Sequence, residues 1–143
     1  MSYTLTACND IAEIGQEAWD ACANPVSSHY LPEQVQFDPF ISYSFLHAIE
    51  KSRSGVAETG WAPYHLLLED DVGKAAGVVP MYLKSHSQGE YVFDYSWADA
   101  FERAGGKYYP KLQIAVPFTP ATGRRLLVSD SADAESIQEY LLG

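Results

Sequence analysis

Two apolar runs, Tyr64 to Glu69 and Lys74 to Leu83, flank Asp70-Asp71-Val72-Gly73, and this pair constrains the fold more than any other part of the chain. Asp and Gly at the centre suit a tight reversal, because glycine reaches positive φ at no steric cost, while Leu, Val and Tyr in the flanks suit strands. An antiparallel hairpin is therefore predicted. Pro80 has no N–H to give to a ladder, so the second strand is expected to lie at an edge or to bulge there.

The other elements follow from periodicity and caps. Tyr3 and Leu5 alternate with Thr4 and Thr6, which reads as a short strand over residues 3 to 8. Asp10 can cap a helix with Glu13 three residues on, and Ile11, Ile14, Ala18, Trp19 and Cys22 recur at helical spacing, which predicts an amphipathic helix over 11 to 23. Asn24-Pro25 stops it, and residues 25 to 37 read as a loop. Asp38-Pro39 opens a second helix with an apolar stripe of Ile41, Phe45, Ala48 and Ile49, and Gly55 lies beyond its end. Ser96 to Ala104 can form a short helix closed by Gly105-Gly106. Leu112 to Val116 and Arg125 to Val128 read as strands, and Asp133 can cap a last helix carrying Ile137, Tyr140 and Leu141. The expected class is α/β in the α+β sense, a mixed, largely antiparallel sheet flanked by helices in a single domain over residues 1 to 143. A chain of 143 residues removes about two thirds of its surface from water on folding, enough for a full core.

The stretch from Tyr82 to Phe118 holds nine of the 19 aromatic residues and interleaves them with Lys84, His86, Glu90, Asp94, Asp99 and Lys111. Burying an unpaired charge costs several kcal/mol, so this mixture suits a cleft better than a core. Lys84, Ser85 and His86 end an apolar run, which places them at a strand mouth or, in the plainer reading, in a solvated turn. His86 is a candidate general base because imidazole titrates near neutrality. Glu90, Tyr91, Asp94 and Asp99 surround Trp97 with carboxylates and a phenol, and Asp94 is the second candidate base; its alternative is to cap the helix that follows. Tyr109 and Lys111 beside Pro110, then Phe118, Thr119, Thr122 and Arg124 in a proline-stiffened loop, complete the candidate substrate-binding set. Arg124 with the two threonines could grip a phosphate or carboxylate, or the loop could be a rigid surface connection.

The words PMYLKSHSQGEYVFDYSWADAFERAGGKYYPKL and QIAVPFTPATGRRLL resemble the FemAB-like N-acyltransferases, described as peptidoglycan biosynthesis or recognition proteins of the GNAT superfamily. The likeness continues upstream through DPFISYSFLHAIEKS and TGWAPYHLLLEDDVGKAAGVVPMYL. Members of that family are usually longer, with two acyltransferase-like halves, so the chain resembles the N-terminal half. The resemblance implies a GNAT-like half fold and transfer of an acyl or aminoacyl group to an amine on a cell-wall precursor or peptide. It also implies direct attack without a covalent enzyme intermediate, acyl-CoA as a donor, and pairing with a C-terminal half or a second copy. A glycine-rich pyrophosphate turn is not evident, since Gly105-Gly106 reads as a helix end. A half-domain that only recognises an anionic glycan or peptide is the rival reading, and a structural dimer module is a third.

Charge narrows the partners. Nine basic residues against 19 acidic ones give a net charge of -10, which opposes nucleic acid and a transfer-RNA donor. Six of the nine (Lys84, Arg103, Lys107, Lys111, Arg124 and Arg125) lie between positions 84 and 125, where a compact anion would fit. Two cysteines, Cys8 and Cys22, are too few for a disulfide framework and are expected reduced. The four histidines are scattered singly, so no metal site is expected. The N-terminus has no basic start or apolar run, and no membrane span is evident, so a cytoplasmic protein is expected.

Overall fold

A computed structural model describes residues 2–26, 37–130 and 133–142. The predicted loop over residues 25 to 37 falls largely outside the described residues. Strand β1 (Thr4–Cys8) leads to α1 (Ile11–Ile14) and α2 (Gln16–Ala23), with the Asp10 side chain accepting from the Ala12 N–H at 2.7 Å. Sequence predicted one helix here. Gly15, at φ 83, breaks it in two, a backbone angle that other residues adopt only at a cost.

Asp38 caps a 3-10 turn (Pro39–Ile41), and Ser42 then restarts the chain as α3 (Tyr43–Lys51). The restart turns the helix relative to the stripe read from sequence. Ile41, Leu46 and Glu50 are buried, and Ala48 is exposed. Glu50 can face inward because its carboxylate accepts from the Ile11 N–H at 3.0 Å and meets His65 Nε2 at 3.1 Å. His65 Nδ1 accepts from the Met81 N–H at 3.3 Å, which leaves the ring proton on Nε2, facing Glu50.

The predicted hairpin is present, but its second arm is divided. The first arm is β3 (His65–Glu69), preceded by a strand β2 (Trp61–Pro63) that was not read from sequence, and the second forms β4 (Ala75–Val79) and β5 (Met81–Lys84). β3 is parted from β2 at Tyr64 and β4 from β5 at Pro80, whose missing N–H interrupts the ladder, and the chain passes at these points from one sheet to the other. After β5 come α4 (Tyr95–Arg103), β6 (Lys111–Ile114), β7 (Leu127–Val128) and α5 (Ala134–Leu142). Where one sheet was expected there are two, both antiparallel, with orders β1-β3-β4-β7 and β2-β5-β6. The class is α+β.

Alternation along the four-stranded sheet makes two cores. Val78 and Leu127 join Ile11, Trp19, Cys22 and Leu46 on the face covered by α1 to α3. Leu68, Val79 and Val128 meet Ile137 and Leu141 of α5 on the other. Each fully buried aliphatic side chain contributes about 1.5–3 kcal/mol, so both faces hold this sheet firmly. Both cysteines are free and buried, and burial pushes the Cys22 thiol up to about 12. Among the described residues, no helix is long and apolar enough to cross a membrane, and no group of His, Cys, Asp and Glu could hold a metal ion.

Candidate functional site

The three-stranded sheet carries the site. Its register places Trp61, Lys84 and Lys111 side by side in one row, and Pro63, Tyr82 and Gln113 in another row two residues along. Side chains alternate across a pleated strand, so Lys84 and Tyr82 share one face while Leu83 points to the other. Lys84 is 0 % exposed. Its ammonium lies 3.4 Å from the centroid of the Trp61 ring and donates to the Gln88 carbonyl at 3.0 Å, which Trp61 Nε1 also reaches at 3.1 Å. The ring face stabilises a desolvated cation by about 2 kcal/mol.

Two carboxylates complete the cluster. Lys111 Nζ bonds Glu90 Oε2 at 3.0 Å, Ser87 Oγ at 3.1 Å and Asp94 Oδ2. Asp94 Oδ2 also accepts from Tyr108 at 2.5 Å, and Tyr109 pairs with Ser87. Glu90 Oε1 stands 3.7 Å from Lys84 Nζ, beyond a hydrogen bond. Glu90 Oε1, Asp94 Oδ1 and Tyr82 Oη are buried polar atoms without a hydrogen-bond partner among the described residues. A buried polar atom left unpaired costs about 1–3 kcal/mol, so such atoms need a functional or ligand-based reason.

The electrostatics separate the two lysines. Burial pushes Lys84 down to about 8 against the pull of Glu90. Burial acts the same way on Lys111, but its bonds to Asp94 and Glu90 outweigh it and hold that ammonium above its ordinary value. Asp94 is half-buried, which favours its neutral form, yet its hydrogen bonds from Lys111 and Tyr108, with the Ser87 hydroxyl nearby, hold it down to about 2.

A cleft of about 290 Å³ opens beside the cluster, lined by Trp61, Glu90, Tyr91, Gln113, Thr119 and Arg125 among others. Gly89 lies at φ 79, and a Cβ there would sit 2.5 Å from Phe118, whose ring also leans on Trp61 with centroids 5.4 Å apart. Phe118 itself has φ 58, a left-handed conformation that is uncommon for a bulky residue. A larger hollow of about 640 Å³ lies beside α3, against Asp10, His47, Glu50 and Arg53. Both Glu50 oxygens are already bonded there, to Ile11 and His65.

The residues singled out from sequence are placed unevenly. Lys84, Glu90, Asp94, Tyr109 and Lys111 come together in the cluster. Tyr91, Thr119 and Thr122 line the cleft, and Phe118 packs beside it against Trp61 and Gly89. Ser85 is exposed. His86 lies with its ring against Gly60, its Nδ1 accepting from the Gln88 N–H at 3.1 Å. Trp97 is 75 % exposed on α4. Asp94 stands at the N-cap of α4 but makes no side-chain cap bond, its carboxylate being turned to Lys111 and Tyr108. Arg124 donates to the Ala23 carbonyl at 2.8 Å and does not line the cleft, while its neighbour Arg125 does. Trp61, Ser87 and Gln113 were not singled out, and Arg125 was named only within the basic stretch from 84 to 125. Trp61 enters through strand register alone, which carries no local signal in the sequence.

A family model described as peptidoglycan biosynthesis/recognition, FemAB-like, matches residues 10–143. The chain belongs to the FemAB-like family. The match takes in every residue of the cluster of this FemAB-like chain. Neither a curated protein nor a solved structure matches it. Membership makes its function peptidoglycan-related.

Proposed function

We propose that this chain binds the amine acceptor in an N-acyl or aminoacyl transfer on a peptidoglycan precursor or peptide. The observation that carries the reading is the pair of buried carboxylate oxygens without hydrogen-bond partners, Glu90 Oε1 and Asp94 Oδ1, beside a cleft that Glu90 lines. An ammonium offers the donors such oxygens lack. The cluster is neutral, two lysines against two carboxylates, and its charged-group atoms without hydrogen bonds are carboxylate oxygens, which favours a donor-bearing ligand over an anionic glycan.

In the proposed reaction the amine must shed a proton before its lone pair can attack the donor carbonyl. The amine nitrogen then forms the new amide bond, and the thiolate or alkoxide leaving group departs with its electron pair. Glu90 is placed to hold the ammonium and take the proton. Asp94, held at about 2, is too weak a base for that role and keeps Lys111 in place instead. Lys84 lies 3.7 Å from Glu90 Oε1, and its neutral fraction, which grows as pH rises toward about 8 and beyond, would receive the proton next.

The donor is outside this proposal. Arg125 bonds the carbonyls of Ala121 and Arg124, and Arg124 bonds that of Ala23, so neither arginine points to a pyrophosphate grip. A cleft of about 290 Å³ is sized for the acceptor's reacting end rather than for acyl-CoA. Titration of n-butylamine, followed by the side-chain NMR signal of Glu90, tests the reading. Saturable binding that Glu90→Gln weakens at least about tenfold, the loss of one charge-assisted bond, is expected. No binding would overturn it. Acylated butylamine detected by mass spectrometry with acetyl-CoA present would establish transfer, while binding without product would leave recognition alone.

A further inference from the structure

The cleft has a second property that the carboxylates do not explain. It runs along β6, and β6 is the edge of its sheet. The Ala115 N–H donates to the Pro80 carbonyl at 3.2 Å, and the register pairs Met81 with Ile114 and Tyr82 with Gln113. Hydrogen-bonded and non-bonded pairs alternate in an antiparallel ladder. Ala115, Gln113 and Lys111 therefore direct their backbone groups to β5, while Leu112 and Ile114 direct theirs outward, to the open edge. On the far side of the sheet the Tyr64 N–H meets the Met81 carbonyl at 2.9 Å, so Met81 and Leu83 face β2, as the same alternation requires.

Among the described residues no strand pairs with this edge of β6, and an open edge with apolar neighbours is a template for another strand. Leu112 is 56 % exposed and Ile114 42 %, and across the cleft Tyr91 and Val92 are 60 % and 86 % exposed. Ile114, Tyr91 and Val92 all line the cleft. Large apolar side chains gathered around unpaired backbone groups fit an extended peptide, whose main chain takes the edge bonds and whose alternate side chains take the apolar contacts.

We propose that β6 binds the acceptor as an extended peptide, added to the sheet as a fourth strand, with its amine-bearing side chain on the face shared by Lys111 and Gln113. This rests on the amine-acceptor reading, because that face is the one on which Lys111 meets Glu90 and Asp94. The two features then serve one ligand. The edge fixes the peptide's direction and register, and the Glu90 carboxylate, whose Oε1 lacks a hydrogen bond, receives the ammonium that the register delivers.

The test uses the 143-residue chain and the synthetic peptide acetyl-Thr-Val-Lys-Val-Thr-amide, with amide hydrogen exchange read by NMR. Exchange at Leu112 and Ile114 is expected to slow by at least about tenfold at saturating peptide, while Gln113, already bonded to β5, changes little. Two N-methylated peptides sharpen the result, one blocked at both valines and the other at lysine and both threonines. Strand addition uses the N–H groups of one set only, so one peptide binds and the other fails. Equal binding of both, or binding that leaves Leu112 and Ile114 unchanged, overturns the proposal. If n-butylamine still binds at Glu90 in that case, the acceptor reading survives and only the strand mode is lost. If neither amine nor peptide binds, both fall.

Discussion

Replacing Lys84 by methionine should reveal the cost of its burial as a pH dependence of stability. Free lysine titrates at 10.5, and Lys84 titrates at about 8 because it is buried with one carbonyl partner and a carboxylate 3.7 Å away. Below about pH 8 both the folded and the unfolded chain hold the proton, and the desolvation cost is present in full. Between about 8 and 10.5 the unfolded chain binds a proton that the folded chain does not, so stability rises with pH, and above that window the cost is gone. At ~1.36 kcal/mol for each tenfold change, the whole window is worth about 3 kcal/mol, of which about 2 kcal/mol falls between pH 8 and pH 10. Lys84→Met keeps a soft side chain against Trp61 and removes this titration. Urea denaturation of both proteins at several pH values measures the difference, to which other lysines and tyrosines contribute nearly equally. The wild type should gain on the variant by about 2 kcal/mol from pH 8 to pH 10. A flat difference would mean an ordinary lysine and would refute the argument, and a falling one would mean that Glu90 dominates.

Asp94→Asn should lower stability by about 2 kcal/mol at neutral pH, since a carboxylate held at about 2 stabilises the fold above about pH 4 and loses that contribution as pH falls toward 2. The variant should accordingly lack the steep acid loss of the wild type, and acid titration followed by circular dichroism checks it. Gly89→Ala should cost about 1–3 kcal/mol, because φ 79 disfavours a side chain and Phe118 occupies its place. Thermal melting reads that loss, and a melting temperature equal to wild type would show that the Phe118 ring swings clear.

The hairpin was legible because its turn and its apolar arms are local. Its division between two sheets was less so: Pro80 announces a break, but which sheet each half joins depends on partners far along the chain, β7 for one and β6 for the other. The inward face of α3 was misread for a comparable reason. Periodicity treats Glu50 as solvent-facing, and only the distant Ile11 N–H and His65 make its burial tolerable. In the site, charges interleaved with rings marked Lys84, Glu90, Asp94 and Lys111, whereas Trp61 depends on strand register. His86 looked chemically apt by residue type, but its ring rests on Gly60.

Stability does not account for residue 84. The position is fully buried between Trp61 and the Glu90 carboxylate, and an apolar side chain of similar length would fill it without the desolvation cost. Lys111 does not present the same problem, because three oxygens surround its ammonium and its proton is held more firmly than in water. One lysine thus organises the carboxylates while the other sits beside them weakly paired, and the two differ in proton affinity although both belong to one neutral cluster. Two like groups whose environments drive their proton affinities apart mark a candidate site for proton transfer. From surface to interior come the cleft, the Glu90 oxygen that lacks a hydrogen bond, and Lys84, which is the order in which a proton leaving the proposed acceptor amine would meet them.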